Sequence, residues 1–449
     1  MQAGKGWRAG LLATMLLGGM LLVPPQTTQA ADLMRNMADA NHVLQQAPPK
    51  RLLVIAPHPD DASLAAVAMI RQTQNSGGQV RIVVMTNGDG FRGAAAQLFG
   101  IKHPDGADMR RLGEIRQREE LQAAARMGLS QRDVTFLGYP DAGLHRLWLT
   151  YWNPTKPFQA MNGSSAVPYL NAYHPHAPYC GLSVVNDLRK LLDEYRPTDV
   201  LYPDPHDVHR DHWATSAFTQ YALTAEADDL KPREWNYLIH YPEFPDPRRY
   251  RPNAPLTHPS HLTDVGVAWL SLPLSKQVET DKHAAILAHT SQIHMMKNLL
   301  ESFVRTNDLL SIYSVPTFPQ RTLQRIELDD IGDQKAPLHA RSADIREVLA
   351  AAHADTVQIA IQTADTLRPE DECKLYLRIP ERGELLELSD QNKYHLQTLG
   401  VTWSKHGNQA LCTLPRTLFH GAKTVLISTE LTCNGQRADN TAWRRFHLS

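Results

Sequence analysis

Residues 51–61 read RLLVIAPHPDD, an apolar run that passes directly into a histidine and two aspartates. An apolar stretch of this length without alternation suits a strand buried on both faces, as in a parallel sheet. Polar residues just beyond such a strand stand where open α/β sheets gather their ligands. The pattern recurs downstream. LLVIA (52–56) is followed by the Ala-rich DASLAAVAMIRQT and then by VRIVVMT (80–86). A helical stretch, MRRLGEIRQREELQAAARMGL, carries apolar residues at Leu112, Ile115, Leu121 and Ala125, near the helical period. VTFLGY (134–139), VVNDLRKLLDEY (184–195), DVLYP (199–203), HWATSAFTQYALTA (212–225) and WNYLIHY (235–241) continue the alternation. Short buried strands joined by helices predict an α/β fold, a Rossmann-like, mostly parallel sheet covered by helices.

The texture changes near 320. TVQIAIQT, CKLYLRIP, YHLQTLG, KTVLIST and WRRFHLS are short β-like runs between polar turns, which predicts a β-rich domain over 325–449, a sandwich, because strands at that spacing need a second layer. Its expected role is to cover an edge of the main domain or to bind sugar chains. The stretch 142–180 is too aromatic and too Pro-rich for a plain linker, and reads either as a binding loop or lid or as a packed excursion.

The chain has 449 residues and a formal net charge of −1, so no concentrated basic field points to nucleic acid. Lys5 and Arg8 precede the apolar run LLATMLLGGMLLV, followed by Thr28 and Ala30. These features predict an export signal over 1–30, cleaved near Ala30, since the run is short of the ~20 apolar residues of a spanning helix. The expected organisation is a signal at 1–30, an α/β domain at 31–324 and the β-rich domain at 325–449, in a periplasmic or secreted protein with no permanent membrane span. In an oxidising compartment the four cysteines, Cys180, Cys373, Cys412 and Cys433, leave room for a disulfide, and Cys412 with Cys433 is the expected pair. None has the CxxC spacing of a structural zinc site.

His58 and Asp61, three residues apart after a strand, can turn to one point and hold a divalent metal, with Asp60 placed to take a proton from a water activated there. After the strand at 199–203 comes DPHDVHRDHW, with His206, His209 and His212 at steps of three. A helix beginning near Asp211 would let His212 complete a set of two histidines and one carboxylate. Such a set leaves coordination open for water, unlike a closed structural site.

The sequence resembles the LmbE-like or PIG-L de-N-acetylases, zinc-dependent enzymes that remove acetyl groups from N-acetylglucosamine units. The family's A-H-P-D-D motif stands here as Pro57-His58-Pro59-Asp60-Asp61, preceded by Ala56. Its H-P-D-H motif stands as His209-Arg210-Asp211-His212, with arginine in place of proline. TNGDG (86–90), IRQREELQAAARMG and KHAAILAHTSQ (282–292) also look like the family, so the resemblance spans roughly residues 50–295. It implies one zinc ion per chain held by His58, Asp61 and His212, with Asp60 as general base and His209 stabilising the oxyanion or protonating the amine; His206 is the alternative for that last role. Asp211 is expected to hold a histidine ring or to cap its helix. Asn87, Asp89 and Arg92 are expected either to bind sugar hydroxyls or to fix the loop, and Trp148 and Trp152, with Tyr151, Tyr173 and Tyr179, to stack on sugar rings or to pack internally. Arg116 and Glu119 read as an ion pair, and His289 as structural. The implied partner is an N-acetylated glycan or glycoconjugate. Two other readings are a zinc hydrolase of the same architecture acting on a non-sugar amide or ester, and a glycan-binding protein with a degenerate pocket. The intact Asp60 argues against the second.

Overall fold

β1 (Arg51–Ala56) is buried from Leu52 onward, and its side chains alternate between two cores. Leu52, Val54 and Ala56 belong to one apolar cluster, Leu53 and Ile55 to another, so the strand is covered on both faces. The computed structural model describes residues 44, 47–224, 230–263, 267–329, 344–380, 383 and 385–448. The expected export signal lies outside them. No helix among the described residues is long and apolar enough to cross a membrane.

Five parallel strands form the centre of a seven-stranded sheet: β1, β2 (Gln79–Thr86), β3 (Val134–Tyr139), β4 (Asp199–Pro203) and β5 (Arg233–Tyr237), in the order β3-β2-β1-β4-β5. β6 (Ala268–Pro273) and β7 (Asn307–Ile312) close one side as antiparallel strands, giving β5-β7-β6. The chain runs outward from β1 through β2 to β3, then returns to lay β4 on the other side of β1. The strand order therefore reverses between β1 and β4, and the crevice beyond their carboxyl ends is where such sheets bind ligands. Helices cover both faces. α1 (Asp61–Ala65), α2 (Val67–Asn75) and α4 (Gly106–Arg126) pack on the face of Leu52 and Val54, beyond the short α3 (Arg92–Phe99). α5 (Leu144–Leu149), α6 (Gly181–Tyr195) and α7 (Arg210–Thr224) pack on the face of Leu53 and Ile55. α8 (Lys276–Ala288) and α9 (Thr290–Glu301) extend the first layer.

The named strands of the C-terminal region pair antiparallel. One sheet orders β13 (Thr402–His406), β14 (Gln409–Pro415), β10 (Thr356–Thr363), β9 (Ile345–Ala352) and β8 (Gln324–Leu328). The other orders β12 (Leu385–Ser389), β11 (Glu372–Arg378), β15 (Thr424–Cys433) and β16 (Gln436–Asn440), with β17 (Arg444–His447) also on β15. Val348 and Ile359 of the first sheet share a core with Leu375, Leu377, Val425 and Ile427 of the second, so the two form a sandwich. The expected strand at YHLQTLG is a short helix, Lys393–Thr398: the Asn392 side chain caps it by accepting from His395 N–H, and Leu396 is buried beneath it. The expected Cys412–Cys433 disulfide is absent. All four thiols are free, Cys412 lies inside β14 in the first sheet, and Cys433 at the end of β15 in the second donates to Asp371 Oδ1 at 2.7 Å.

The sandwich is joined to the α/β domain by buried contacts. Trp148 is fully buried between Phe218 and Trp443, with ring centroids 5.0 and 5.2 Å away, and the Arg378 guanidinium lies 4.5 Å from its centroid. Gln220 Nε2 donates to Trp443 O at 2.8 Å, and Arg445 N–H donates back to Gln220 Oε1 at 3.1 Å.

One buried carboxyl in the sandwich gives stability a pH dependence. Glu327 is 4% exposed, Oε1 has no hydrogen-bond partner, and burial pushes its pKa up to about 8, against the lowering influence of Arg444. The folded pKa lies above the unfolded value, so the fold favours the neutral acid. That stabilisation is complete below the unfolded pKa of about 4.5 and is lost as pH rises through about 8. Glu327→Gln should therefore gain stability over wild type, by a few kcal/mol, as pH goes from about 5 to 8.5. Thermal melts across that range check it; a constant difference between the two proteins would contradict it.

Candidate metal centre

The crevice at the β1/β4 reversal holds the residues that the two motifs single out. β1 ends at Ala56, and Pro57 O accepts from Thr86 N–H at 3.0 Å and Thr86 Oγ1 at 2.9 Å, which pins the neighbouring strand ends together. Two prolines flank His58 and keep the turn short before α1 starts at Asp61. Asp61 Oδ2 accepts from His58 N–H at 2.8 Å, which points both side chains into the crevice. From the other side, Asp207 Oδ1 accepts from His209 N–H at 2.9 Å, and its Oδ2 accepts from Ile239 and His240 N–H at 3.1 and 3.0 Å. This fixes the loop after β4 and delivers His212 in the first turn of α7.

The resulting triangle is compact. His58 Nδ1 lies 3.2 Å from His212 Nε2, His212 Nε2 lies 3.3 Å from Asp61 Oδ2, and Asp61 Oδ2 lies 3.4 Å from His58 Nδ1. Ligands about 2.0–2.1 Å from a tetrahedral ion are themselves about 3.3 Å apart, so the triangle has the dimensions of one face of such a site. The second nitrogens are also engaged: His212 Nδ1 faces Asp207 Oδ2 at 3.1 Å, and His58 Nε2 faces Asp141 Oδ1 at 3.2 Å and Asp211 Oδ2 at 3.5 Å. Carboxylates behind metal-binding imidazoles fix ring orientation and raise ligand basicity. His58, His209 and His212 present ligand atoms within 4.8 Å of one another, as do Asp61, His212 and His240. The cluster is compatible with a divalent cation.

Its electrostatics point the same way. Burial opposes charge on His58, yet Asp141, Asp211 and Asp61 hold its pKa well above the usual histidine value. His212 is likewise raised, to about 9, because Asp207 and Asp61 outweigh its burial. Although burial works against ionisation, His212 and His58 hold Asp61 well below the ordinary carboxylate range. The site draws positive charge inward, as a cation site must. His209 and His240 differ. Burial lowers both, His209 with help from His58 and His212, and His240 falls to about 3.

Asp60 does not join the triangle. Its Oδ1 accepts from Arg116 Nη2 at 3.0 Å, and Arg116 Nη1 donates to Gly88 O at 3.2 Å. Gly88 has φ +64°, and a Cβ there would come within 1.9 Å of Arg116 Nη1. Only glycine in TNGDG leaves room for this guanidinium to reach the crevice. Arg116 is thus paired with Asp60 rather than with Glu119, which instead accepts from Thr290 Oγ1, Ser291 N–H and Ser291 Oγ. His289 is buried, with Nε2 3.1 Å from Ser63 Oγ. His209 lies beside His58 and His212, at centroid distances of 4.9 and 5.2 Å, and its Nδ1 accepts from Asp211 N–H at 3.3 Å, which leaves the ring proton on Nε2. His206 turns away to stack on Tyr313, its Nδ1 3.0 Å from the phenol oxygen. Asp211 is buried and accepts from Ala142 and Leu144 N–H at 2.6 and 3.1 Å, anchoring the start of α5.

The expected sugar contacts fare differently. Trp148 is sealed in the interface with the sandwich, and Trp152 lies beneath Arg378, 3.8 Å from centroid to guanidinium carbon, and stacks on Phe218. Both are spent on packing, which corrects the stacking role expected for them. Asp89 is buried, accepts from Tyr169 Oη at 2.6 Å and Asn162 Nδ2 at 2.8 Å, and is pushed up to about 6 by burial. It fastens the 142–180 excursion, leaving no open face to a sugar. Asn87 is fully buried, with neither amide atom partnered among the described residues. Arg92 is exposed at the start of α3. Sequence reasoning missed Asp141, Asp207 and His240. Asp141 and His240 each follow a strand of the same sheet, β3 and β5, and that position was the available signal.

Residues 53–223 match the family model of the GlcNAc-PI de-N-acetylases, PIG-L. The α/β domain has a PIG-L/LmbE-like fold. The match covers both motifs and ends before β5, so His240 and the sandwich lie outside it. No curated protein matches the chain. Among solved structures, the A40926 pseudoaglycone deacetylase is 17% identical with TM-score 0.38, over 58% of this chain and 96% of that one. The 4-carboxy-2-hydroxymuconate hydratase of Pseudomonas putida is 19% identical, with TM-score 0.37, over 60% and 98%. The N,N'-diacetylchitobiose deacetylase of Pyrococcus horikoshii is 19% identical, with TM-score 0.32, over 61% and 92%.

Proposed function

We propose that the protein is an exported zinc-dependent de-N-acetylase that hydrolyses the acetamide of N-acetylglucosamine-type units in a glycan or glycoconjugate. The observation that carries this reading is the triangle of His58, Asp61 and His212 with the separate carboxylate of Asp60 beside it. A zinc ion held by three protein atoms with a further position left to water is the catalytic rather than the structural form of such a site. Zinc held there would polarise the acetamide carbonyl and make water acidic enough to ionise near neutral pH.

The chain's own residues divide the remaining work. Asp60, oriented by Arg116, takes the proton of the attacking water and is placed to return it to the departing amine. His209, with its proton on Nε2, donates to the carbonyl oxygen as negative charge develops there; one such donor is worth roughly 3 kcal/mol. Asp207, Asp141 and Asp211 keep the imidazoles in register. The products are acetate and a free amine.

Arg116 is a positioning residue in this scheme. Arg116→Gln should lower kcat about tenfold while metal content and KM stay near wild type, because only the approach of Asp60 is disturbed. Unchanged kcat would remove Arg116 from the mechanism. The substrate class is tested by acetate release from N-acetylglucosamine oligomers set against simple non-sugar acetamides and esters. Preference for the sugars supports the reading, and equal or better turnover of the non-sugar compounds would replace it with a broader hydrolase.

A further inference from the structure

β5 ends at Tyr237, and His240 follows beyond the same carboxyl strand ends that carry the metal triangle. The family match stops at residue 223, so it gives His240 no role. The backbone of His240 is clamped to the loop after β4: its N–H donates to Asp207 Oδ2 at 3.0 Å, and its carbonyl accepts from Val208 N–H at 2.9 Å. Asp207 also faces His212 Nδ1 at 3.1 Å, so one carboxylate sets both histidines. A ring nitrogen of His240 comes within 4.8 Å of the ligand atoms of Asp61 and His212. It makes no ion pair with Asp61, unlike His58 and His212, and so stands beside the triangle rather than at a vertex.

The ring of His240 is uncommitted. Neither nitrogen makes a hydrogen bond or ion pair among the described residues, and His240 is partly exposed where Asp207 and His212 are buried. The His209 ring lies 4.9 Å away, tilted by 35°, and itself touches His58 and His212 at 4.9 and 5.2 Å. Two rings so close to each other stand on one side of the triangle. They differ in what they can offer. Asp211 N–H occupies His209 Nδ1 and leaves that ring a donor through Nε2, whereas His240 has both nitrogens free, one a donor and one an acceptor. A carbonyl oxygen only accepts, and His209 already serves it. A hydroxyl both donates and accepts, so it pairs with His240 in either tautomer.

We propose that His240 determines specificity at this site: it hydrogen-bonds the sugar hydroxyl next to the acetamide and so selects an N-acetylated sugar over a plain acetamide. In a chain linked through C1 and C4, the free neighbour of the acetamide is the C3 hydroxyl. An acetamide carbonyl directed at the triangle and His209 brings that hydroxyl, one carbon away, to the adjoining ring. A site built to pair with a substrate hydroxyl rejects the analogue lacking it, because its own polar group is then left unpaired. The inference rests on the proposed de-N-acetylase reading and deepens it.

The test titrates the zinc-loaded protein calorimetrically with glucosamine and 3-deoxyglucosamine, neither of which is turned over, and follows acetate release from N-acetylglucosamine oligomers alongside. Wild type should bind glucosamine about tenfold tighter than 3-deoxyglucosamine, the worth of one hydrogen bond. His240→Ala should keep its zinc and bind both sugars within about twofold of the wild-type affinity for 3-deoxyglucosamine. His240→Gln, which retains a donor and an acceptor, should recover about threefold discrimination. In turnover, His240→Ala should raise KM about tenfold and leave kcat within about threefold, as expected for a contact made equally in ground and transition states. Equal binding of the two sugars by wild type, no binding of glucosamine, or discrimination that survives His240→Ala would overturn the proposal. Loss of zinc from His240→Ala would also overturn it, by moving His240 into the ligand set. A hydroxyl preference without acetate release from any N-acetylglucosamine compound keeps the His240 contact and defeats the de-N-acetylase reading; acetate release without the preference does the reverse.

Discussion

Asp60→Ala is expected to keep the metal content of the wild type and to lose at least ~100-fold in turnover, the lower end for a positioned general base. The expectation follows from a division visible in the crevice. Asp60 is held by Arg116 Nη2 at 3.0 Å, whereas the neighbouring Asp61 turns into the triangle with His58 and His212. Two adjacent carboxylates thus have separate partners, and removing one leaves the other's geometry in place. Metal analysis and steady-state kinetics on the same preparation check both halves. Wild-type turnover in Asp60→Ala would mean that another group takes the proton, and loss of metal would mean that Asp60 belongs to the ligand set.

Removing a vertex of the triangle should have the opposite signature. His58→Ala and Asp61→Ala are expected to lose bound zinc and, with it, essentially all acetate release. Two remaining donors cannot hold the ion against water, and the lost residue also orients its neighbours, since Asp61 Oδ2 anchors the His58 backbone at 2.8 Å. A readout independent of activity is available. Zinc at about 100 times its Kd should stabilise the wild-type fold by roughly 2.7 kcal/mol, and should leave the melting of either variant unmoved. Full zinc occupancy in both variants would dismiss the ligand assignment.

The central sheet was legible because its strands announce themselves. A strand buried on both faces must be apolar along its buried length, and RLLVIA, VRIVVMT and VTFLGY are mostly so. β6 and β7 went unread: they form an antiparallel pair at one side of the sheet, and Ser271 and Pro273 interrupt the apolar run of β6. The motif residues were legible because their spacing is local. Asp141 and His240 reach the site only through the strand order, which a single sequence does not display. Trp148 and Trp152 looked like sugar platforms for the same reason that they make good interface residues: both uses want a large flat apolar ring. What decides between them is Arg378, 230 positions beyond Trp148, donating to Trp148 O and lying over both rings. Arg116 was assigned to Glu119 because residues three apart on a helix are neighbours. The structure instead sends the guanidinium across Gly88 to Asp60, a contact over 56 residues.

The most direct test of the account is a zinc titration of the metal-stripped protein, with acetate release from an N-acetylglucosamine oligomer measured at each addition. Activity that rises linearly and levels off at about one ion per chain, and that stays absent in His58→Ala, Asp61→Ala and Asp60→Ala, is the predicted result. Full activity in the stripped protein, or zinc binding that never brings acetate release, would contradict it.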